Sequence, residues 1–357
     1  VGKPMATENL APMTASGQSK NSDFLDGFSR HLNGLVEVVN QQPLSLGLMP
    51  TELTAEDLLK RKIELIPCLV DPILQSIGLA ALAGSSDVGK SVWLRQLAFA
   101  VATDQPTFLG WPIQSKHKSV IYVSTEDDEN ATAFLLYSLN KSQGCQPAEC
   151  ARLRFVFDTQ NLLNELDHRL TNRPADLVII DAFGDLYSGD ANKSNQIRGF
   201  LHDYSQLAQK HECLILWLHH TSKRTENDPP SKHNVIGGQG FEGKMRLLIE
   251  LRRDHHDSAR RHLCIVKGNY LPDEYKDESF MLTFGDFQFH QTGERTPFEQ
   301  LARPKEKAET ETAQQKYERA KAMREAGKTL DEIAAELDYA NASGVRKLLK
   351  RFGADLS

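Results

Sequence analysis

Residues 84–91 read Gly84-Ser85-Ser86-Asp87-Val88-Gly89-Lys90-Ser91, a full GxxxxGK[ST] pattern between an apolar run (Leu79–Ala83) and a helical stretch (Ser91–Thr103). A phosphate anion needs several backbone N–H groups converging on it. Glycines at 84 and 89 permit the turns that build such a nest, and the following helix adds a favourable dipole. In a loop of this kind Lys90 reaches the β- and γ-phosphates, and Ser91 places its hydroxyl on Mg²⁺. The pattern predicts binding of a nucleoside triphosphate, with ATP and Mg²⁺ the expected ligands.

Hydrolysis needs acids beside that loop. Leu177–Asp181 is a strand-like apolar run ending in a carboxylate, so Asp181 is the candidate acid on the metal side. Val120–Ser124 leads into Thr125-Glu126-Asp127-Asp128. Glu126 is the favoured base for the attacking water, and Asp127 and Asp128 are read as solvated loop acids. A third run, Leu214–Leu218, ends in His219 and His220, either of which could bond the γ-phosphate and report its loss to the next loop. Paired histidines also ligate metals, but no further ligand stands at zinc spacing. Lys244-Met245-Arg246 follows a Gly-rich stretch (Gly237, Gly238, Gly240, Gly243). Strand alternation would point Lys244 and Arg246 the same way, two cations for the charge developing on the γ-phosphate of a neighbouring subunit.

Near-continuous apolar runs separated by helical stretches (Ser91–Thr103, Ala131–Ser142, Gln196–Gln209) predict a parallel sheet covered on both faces. Shorter runs after Gly243 (Arg246–Arg252, His262–Lys267, Phe280–Phe284, Phe287–His290) predict an antiparallel extension. The fold class is therefore α/β, mostly parallel, with a small all-α unit at the C-terminal end. Residues 1–22 read as a disordered tail, the four residues ahead of Met5 as an added extension, and 23–50 as an amphipathic helix (Phe24–Val39) and linker. The ATPase domain is expected over 51–301, a charged linker over 302–318 and the helical unit over 319–357.

The 357 residues are 40% hydrophobic and 25% charged, as in an ordinary soluble globular protein. A net charge of −6 excludes a globally basic nucleic-acid binder and confines DNA contacts to particular segments. The five cysteines lack CxxC spacing, and no apolar run approaches membrane-spanning length. A cytoplasmic protein with no membrane partner is the expectation.

The blocks GSSDVGKS, VIYVSTEDD, LVIIDAFGDL, LILWLHHTSK, the Gly-rich stretch ending in KMR, and CIVKGNY resemble, in order and spacing, the RecA-fold P-loop ATPases. Within these they are similar to the RepA-type hexameric replicative helicases of broad-host-range plasmids. The resemblance covers about residues 65–290 and implies roles: Lys90 and Ser91 on phosphates and Mg²⁺, Glu126 as base, Asp181 as the second acid. His219 or His220 takes the sensor position, and Arg246, with Lys244, acts as a finger across a subunit interface. It also implies a ring and 5′ to 3′ movement. Asp87 departs from the pattern by placing an acid inside the phosphate loop.

Two segments suggest nucleic-acid contact. Ser222–Gly240 carries Lys223, Arg224 and Lys232 without a core pattern, so it is expected to be a structureless loop gripping single-stranded DNA in a channel, with Asp185–Asn195 as a second such loop. Near the C-terminus, Thr329–Leu337 and Ala342–Phe352 read as two packed helices of a helix-turn-helix. The second carries Arg346, Lys347, Lys350 and Arg351 and suits duplex DNA, although Gly344 weakens it. The sequence thus points to a ring-forming ATP-driven DNA helicase or translocase serving replication of a mobile element. A DNA-bound ATPase switch that does not unwind, or a filament-forming recombinase, are the alternatives.

Overall fold

The computed structural model describes residues 52–222, 225, 227–302, 313–337, 339 and 341–352. The tail and amphipathic helix expected over 1–50, together with Lys223 and Arg224, lie outside the described residues. The chain divides into two compact units, residues 1–62 and 63–357. In the first, helix α1 (Ala55–Lys60) starts at a capping box in which Thr54 and Asp57 satisfy each other's backbone N–H groups.

Among the described residues, the second unit is built on one nine-stranded sheet, with two small hairpins beside it in sequence. After a small hairpin of β1 (Cys68–Val70) and β2 (Leu74–Gln75) comes β3 (Gly78–Gly84), and after a second hairpin of β4 (Thr107–Phe108) and β5 (Trp111–Pro112) comes β6 (Val120–Ser124). Then follow β7 (Leu153–Val156), β8 (Leu177–Asp181), β9 (Leu214–His220), β10 (Leu247–Arg253), β11 (Arg260–Gly268), β12 (Glu278–Gly285) and β13 (Gln288–Pro297). The sheet order is β13-β12-β11-β10-β3-β9-β8-β6-β7. The six strands from β10 to β7 are parallel, and β11, β12 and β13 are antiparallel. The antiparallel extension therefore begins one strand later than expected, because β10 pairs parallel to β3 before the chain turns back through residues 254–259.

Strand alternation sorts side chains into two cores. Ala80, Leu82, Leu177, Ile179, Leu216 and Leu218 pack on one face with helix α2 (Lys90–Ala102). Leu79, Ala81, Val178, Ile180, Ile215 and Trp217 face the other side with α4 (Leu162–Asn172) and α6 (Ser194–Lys210). Helix α3 (Glu129–Gln143) links β6 to β7, and the short α5 (Phe183–Leu186) follows β8. Both faces being covered explains why the parallel strands are apolar throughout. Among the described residues no helix is long and apolar enough to cross a membrane.

The segment after β9 is more ordered than expected. Thr221 bridges Val235, a short 3-10 turn covers Lys232–Asn234, and α7 spans Gly238–Glu242. Glu250 and Arg252, buried on one face of β10, hold it in place. Glu250 Oε2 accepts from Ser231 N and Asn234 Nδ2, both at 3.1 Å, and Arg252 donates to the carbonyls of Asp228 and Thr225.

The C-terminal helices number three among the described residues: α8 (Ala313–Glu325), α9 (Leu330–Glu336) and α10 (Ala342–Phe352). Helix α8 begins inside the expected linker and completes a core of Ala320, Ile333, Ala334, Leu337, Val345 and Leu348. Two helices alone would leave that apolar stripe half covered.

Candidate nucleotide site

The phosphate loop leaves β3 where its neighbours part: the chain crosses from β3 to β6, and β8 and β9 later fill the gap. Such a switch point opens a crevice at the carboxyl ends of the strands. Two glycines are required by geometry. A Cβ on Gly84 would stand 2.4 Å from the Leu251 carbonyl oxygen, so only glycine lets β3 lie this close to β10. Gly89 has φ +97° and caps α2, and a Cβ there would strike the Phe289 ring at 2.8 Å. Asp87, the departure noted in the loop, adopts φ +59°, a conformation that Asp tolerates better than most residues. Ser85, Ser86 and Asp87 line a polar cleft, whereas Val88 is buried in the core beneath the loop.

Lys90 is buried, and its Nζ donates to Ser85 O at 2.7 Å. Burial lowers its pKa, while Asp181, Glu126 and Asp87 act to keep it charged. Asp181 is buried at the end of β8, level with Ser124 on β6. Burial pushes its carboxyl pKa up, against the opposing pull of the Tyr122 hydroxyl, the Arg95 guanidinium and the Ser91 hydroxyl. Its Oδ1 is buried with no hydrogen-bond partner among the described residues. An orphaned carboxylate oxygen beside a serine hydroxyl is a hard-oxygen donor set, which suits Mg²⁺.

The three acids after β6 separate by their bonds. Asp128 caps α3 by accepting from Ala131 N at 2.8 Å, and Asp127 is ion-paired to Arg95. Glu126 has neither commitment. Its pKa is raised by partial burial and by Asp181 and Asp185, with Lys90 acting against them. A carboxylate held among acids and a lysine has the raised basicity expected of a proton acceptor.

The two histidines divide as well. His220 lies with Nδ1 3.5 Å from Lys90 Nζ, at the site. His219 points through the sheet instead, packed against Phe183 and Phe241, with Nε2 2.9 Å from Ile236 O. Adjacent strand residues face opposite ways, so only one of the pair can lie on the phosphate-loop side, and it is His220 that stands beside Lys90.

Lys244 and Arg246 are not on a strand. They occupy the turn between α7 and β10, so strand alternation does not align them. Arg246 N donates to Leu79 O, which fixes Arg246 at the amino-terminal edge of the parallel sheet. Arg246 is exposed and its Nη1 lies 3.2 Å from the Tyr270 hydroxyl, while Lys244 Nζ lies 3.5 Å from His202 Nδ1. Of the basic residues expected on DNA, Lys232, Arg346, Lys347, Lys350 and Arg351 are all exposed.

Two arginines at the site escape sequence reasoning. Arg253 Nη2 donates to Asp87 O at 2.7 Å and Arg261 Nε to Val88 O at 3.0 Å, bracing the phosphate loop. They are direct cross-strand partners, Arg253 on β10 and Arg261 on β11. The available signal is the symmetry of RRDHHDSARR, two arginine pairs about a turn, which places one arginine of each pair on the same face of a hairpin.

A phosphate nest on a central strand, with acids closing the ends of two strands beyond its neighbour, defines a P-loop ATPase. Residues 45–226 match the AAA domain family, and the chain belongs to it. No curated protein matches the chain.

Proposed function

We propose that the protein is an ATP-driven, ring-forming DNA helicase or translocase, a hexamer akin to the RepA-type plasmid helicases and acting in replication of a mobile element. The observation that carries this reading is the place of Arg246. It is level with Leu79, five residues before Gly84 along β3, so about 17 Å of strand separates it from its own phosphate loop. An arginine there cannot serve the nucleotide of its own chain and is exposed to serve another. An engine completed by its neighbour fits a closed ring.

Bound Mg²⁺, held by Ser91 and Asp181, would neutralise charge on the phosphates. Lys90 would bind the β- and γ-phosphates, Glu126 would accept the proton of the attacking water, and His220 would contact the γ-phosphate. The segments that follow β8 and β9 lie side by side: a Cβ on Gly240 would meet Ser194 Cα at 2.7 Å. Together they suit a shared grip on a single strand, with Lys232, Lys223 and Arg224 supplying charge.

Lys90→Ala should lose nucleotide binding and turnover, whereas Glu126→Gln should bind ATP and lose turnover by a factor on the order of 10²–10⁴. ATP-dependent separation of a forked duplex by the wild type, absent in both variants, is the expected result. ATPase stimulated by duplex with no strand separation would favour a second reading, a DNA-bound switch. The four exposed cations of α10 support that alternative.

A further inference from the structure

The buried polar chemistry at the site extends past the two acids. Arg95, five residues beyond Lys90 on α2, is only 4% exposed. Its guanidinium pairs with Asp127 and lies 5.6 Å from the ring centroid of Tyr122. Tyr122 is fully buried on β6, and its hydroxyl donates to Asp181 Oδ2 at 2.6 Å. One polar chain thus joins the phosphate-loop helix, β6 and β8. Burying a guanidinium and a phenol is costly unless their bonds are specific, so what the ends of the chain hold is the question.

At one end, Tyr122 occupies Oδ2 of Asp181 and leaves Oδ1 as the oxygen with no hydrogen-bond partner among the described residues. At the other, the backbone around Glu126 is pinned on both sides. Thr125 N donates to Asp181 O at 2.8 Å and Ser124 Oγ to Asp127 O at 2.9 Å, while Arg95 holds the Asp127 side chain. Glu126, between two tethered residues, is the acid left to the crevice.

We propose that Arg95 and Tyr122 are positioning residues that keep the two acids in separate roles. Tyr122 turns the Asp181 carboxylate so that Oδ1 faces the metal, and Arg95 fixes the strand end that aims Glu126 at the water. The inference rests on the nucleotide-site reading above and deepens it.

The test uses Mn²⁺ as a spin probe with the full chain and ADP, alongside ADP binding in EDTA and steady-state ATPase. Tyr122→Phe removes one oxygen and should weaken Mn²⁺ binding by about tenfold while leaving metal-free ADP affinity unchanged. Arg95→Met should lower kcat by about tenfold or more at unchanged KM, with Arg95→Lys recovering part of the loss. Should Arg95→Met fail to fold, the near-isosteric Tyr122→Phe still decides the matter. Wild-type Mn²⁺ affinity in Tyr122→Phe overturns the proposal. A wild-type protein that holds neither ADP nor Mn²⁺ overturns the nucleotide-site reading, and this inference with it.

Discussion

His219 and His220 are neighbours in sequence with opposite surroundings, and the difference has a measurable consequence. His219 is 4% exposed; its Nε2–H donates to a carbonyl and its Nδ1 is buried without a partner among the described residues. Burial therefore depresses its pKa to about 4 from 6.5, with the Ile236 carbonyl opposing and His220 and Lys90 adding to the shift. In the unfolded chain the ring protonates near 6.5; in the folded protein it stays neutral until about pH 4. Stability from this group is complete above the unfolded pKa and is lost as pH falls through the window to about 4, on the order of 3 kcal/mol in all. Denaturant midpoints measured from pH 7 to 4.5 should fall for the wild type and fall less steeply for His219→Gln. His220 and His262, also lowered by burial, contribute with the same sign in both proteins. Identical slopes would mean that His219 does not titrate as its surroundings require.

At the scale of elements, the C-terminal unit sets two effects against each other at Gly344. Helix propensity alone says that Gly344→Ala stabilises α10 by about 1 kcal/mol. Packing says otherwise, since the added Cβ would stand 2.6 Å from Tyr339 Cδ1 and 3.2 Å from its Cγ. The ring has to move, and overpacking of this kind costs roughly 1–3 kcal/mol, so packing wins. Hydrogen exchange in α10 should accelerate in Gly344→Ala and slow again when Tyr339→Ala is added; slower exchange in the single variant would reverse the argument. The same unit shows what the sequence could and could not disclose. Thr329 and Glu332 form the capping box that their spacing announces, and the apolar stripe of α10 reads directly. Helix α8, with Ala320 its single fully buried residue, has almost no stripe to read, and its first turns pass for linker. In the main sheet the four central apolar runs are plain, because strands covered on both faces need no alternation. Edge strand β7 has a half-exposed pattern, and α4, despite Leu166 and Leu170 at helical spacing, follows no clear start signal, its cap being Asn161 in a left-handed conformation. The grip of Glu250 and Arg252 on the segment after β9 joins residues about twenty positions apart through tertiary packing, which no local pattern encodes.

For the whole molecule the question is where one active site ends. Within a single chain, Lys90, Glu126, Asp181 and His220 gather at the carboxyl ends of the parallel strands, and Arg246 stands at the opposite edge. If the arginine serves a neighbour, each working site draws Lys90 from one subunit and Arg246 from the next. Lys90→Ala and Arg246→Ala proteins would then each be inactive alone, for different reasons: the first binds no nucleotide, and the second binds it without turnover. In a ring assembled at random from equal amounts of the two, a site is intact only where an unaltered Lys90 meets an unaltered Arg246. That occurs at about one half times one half, or about a quarter, of the positions. ATPase should therefore rise from near zero toward a quarter of the wild-type rate as the variants are mixed, with its maximum at equal proportions. A finger acting within its own chain leaves every mixture inactive, because each subunit then lacks one essential group. Adding a third component, the double variant, should depress the recovered activity by dilution, which distinguishes shared sites from residual activity in either parent.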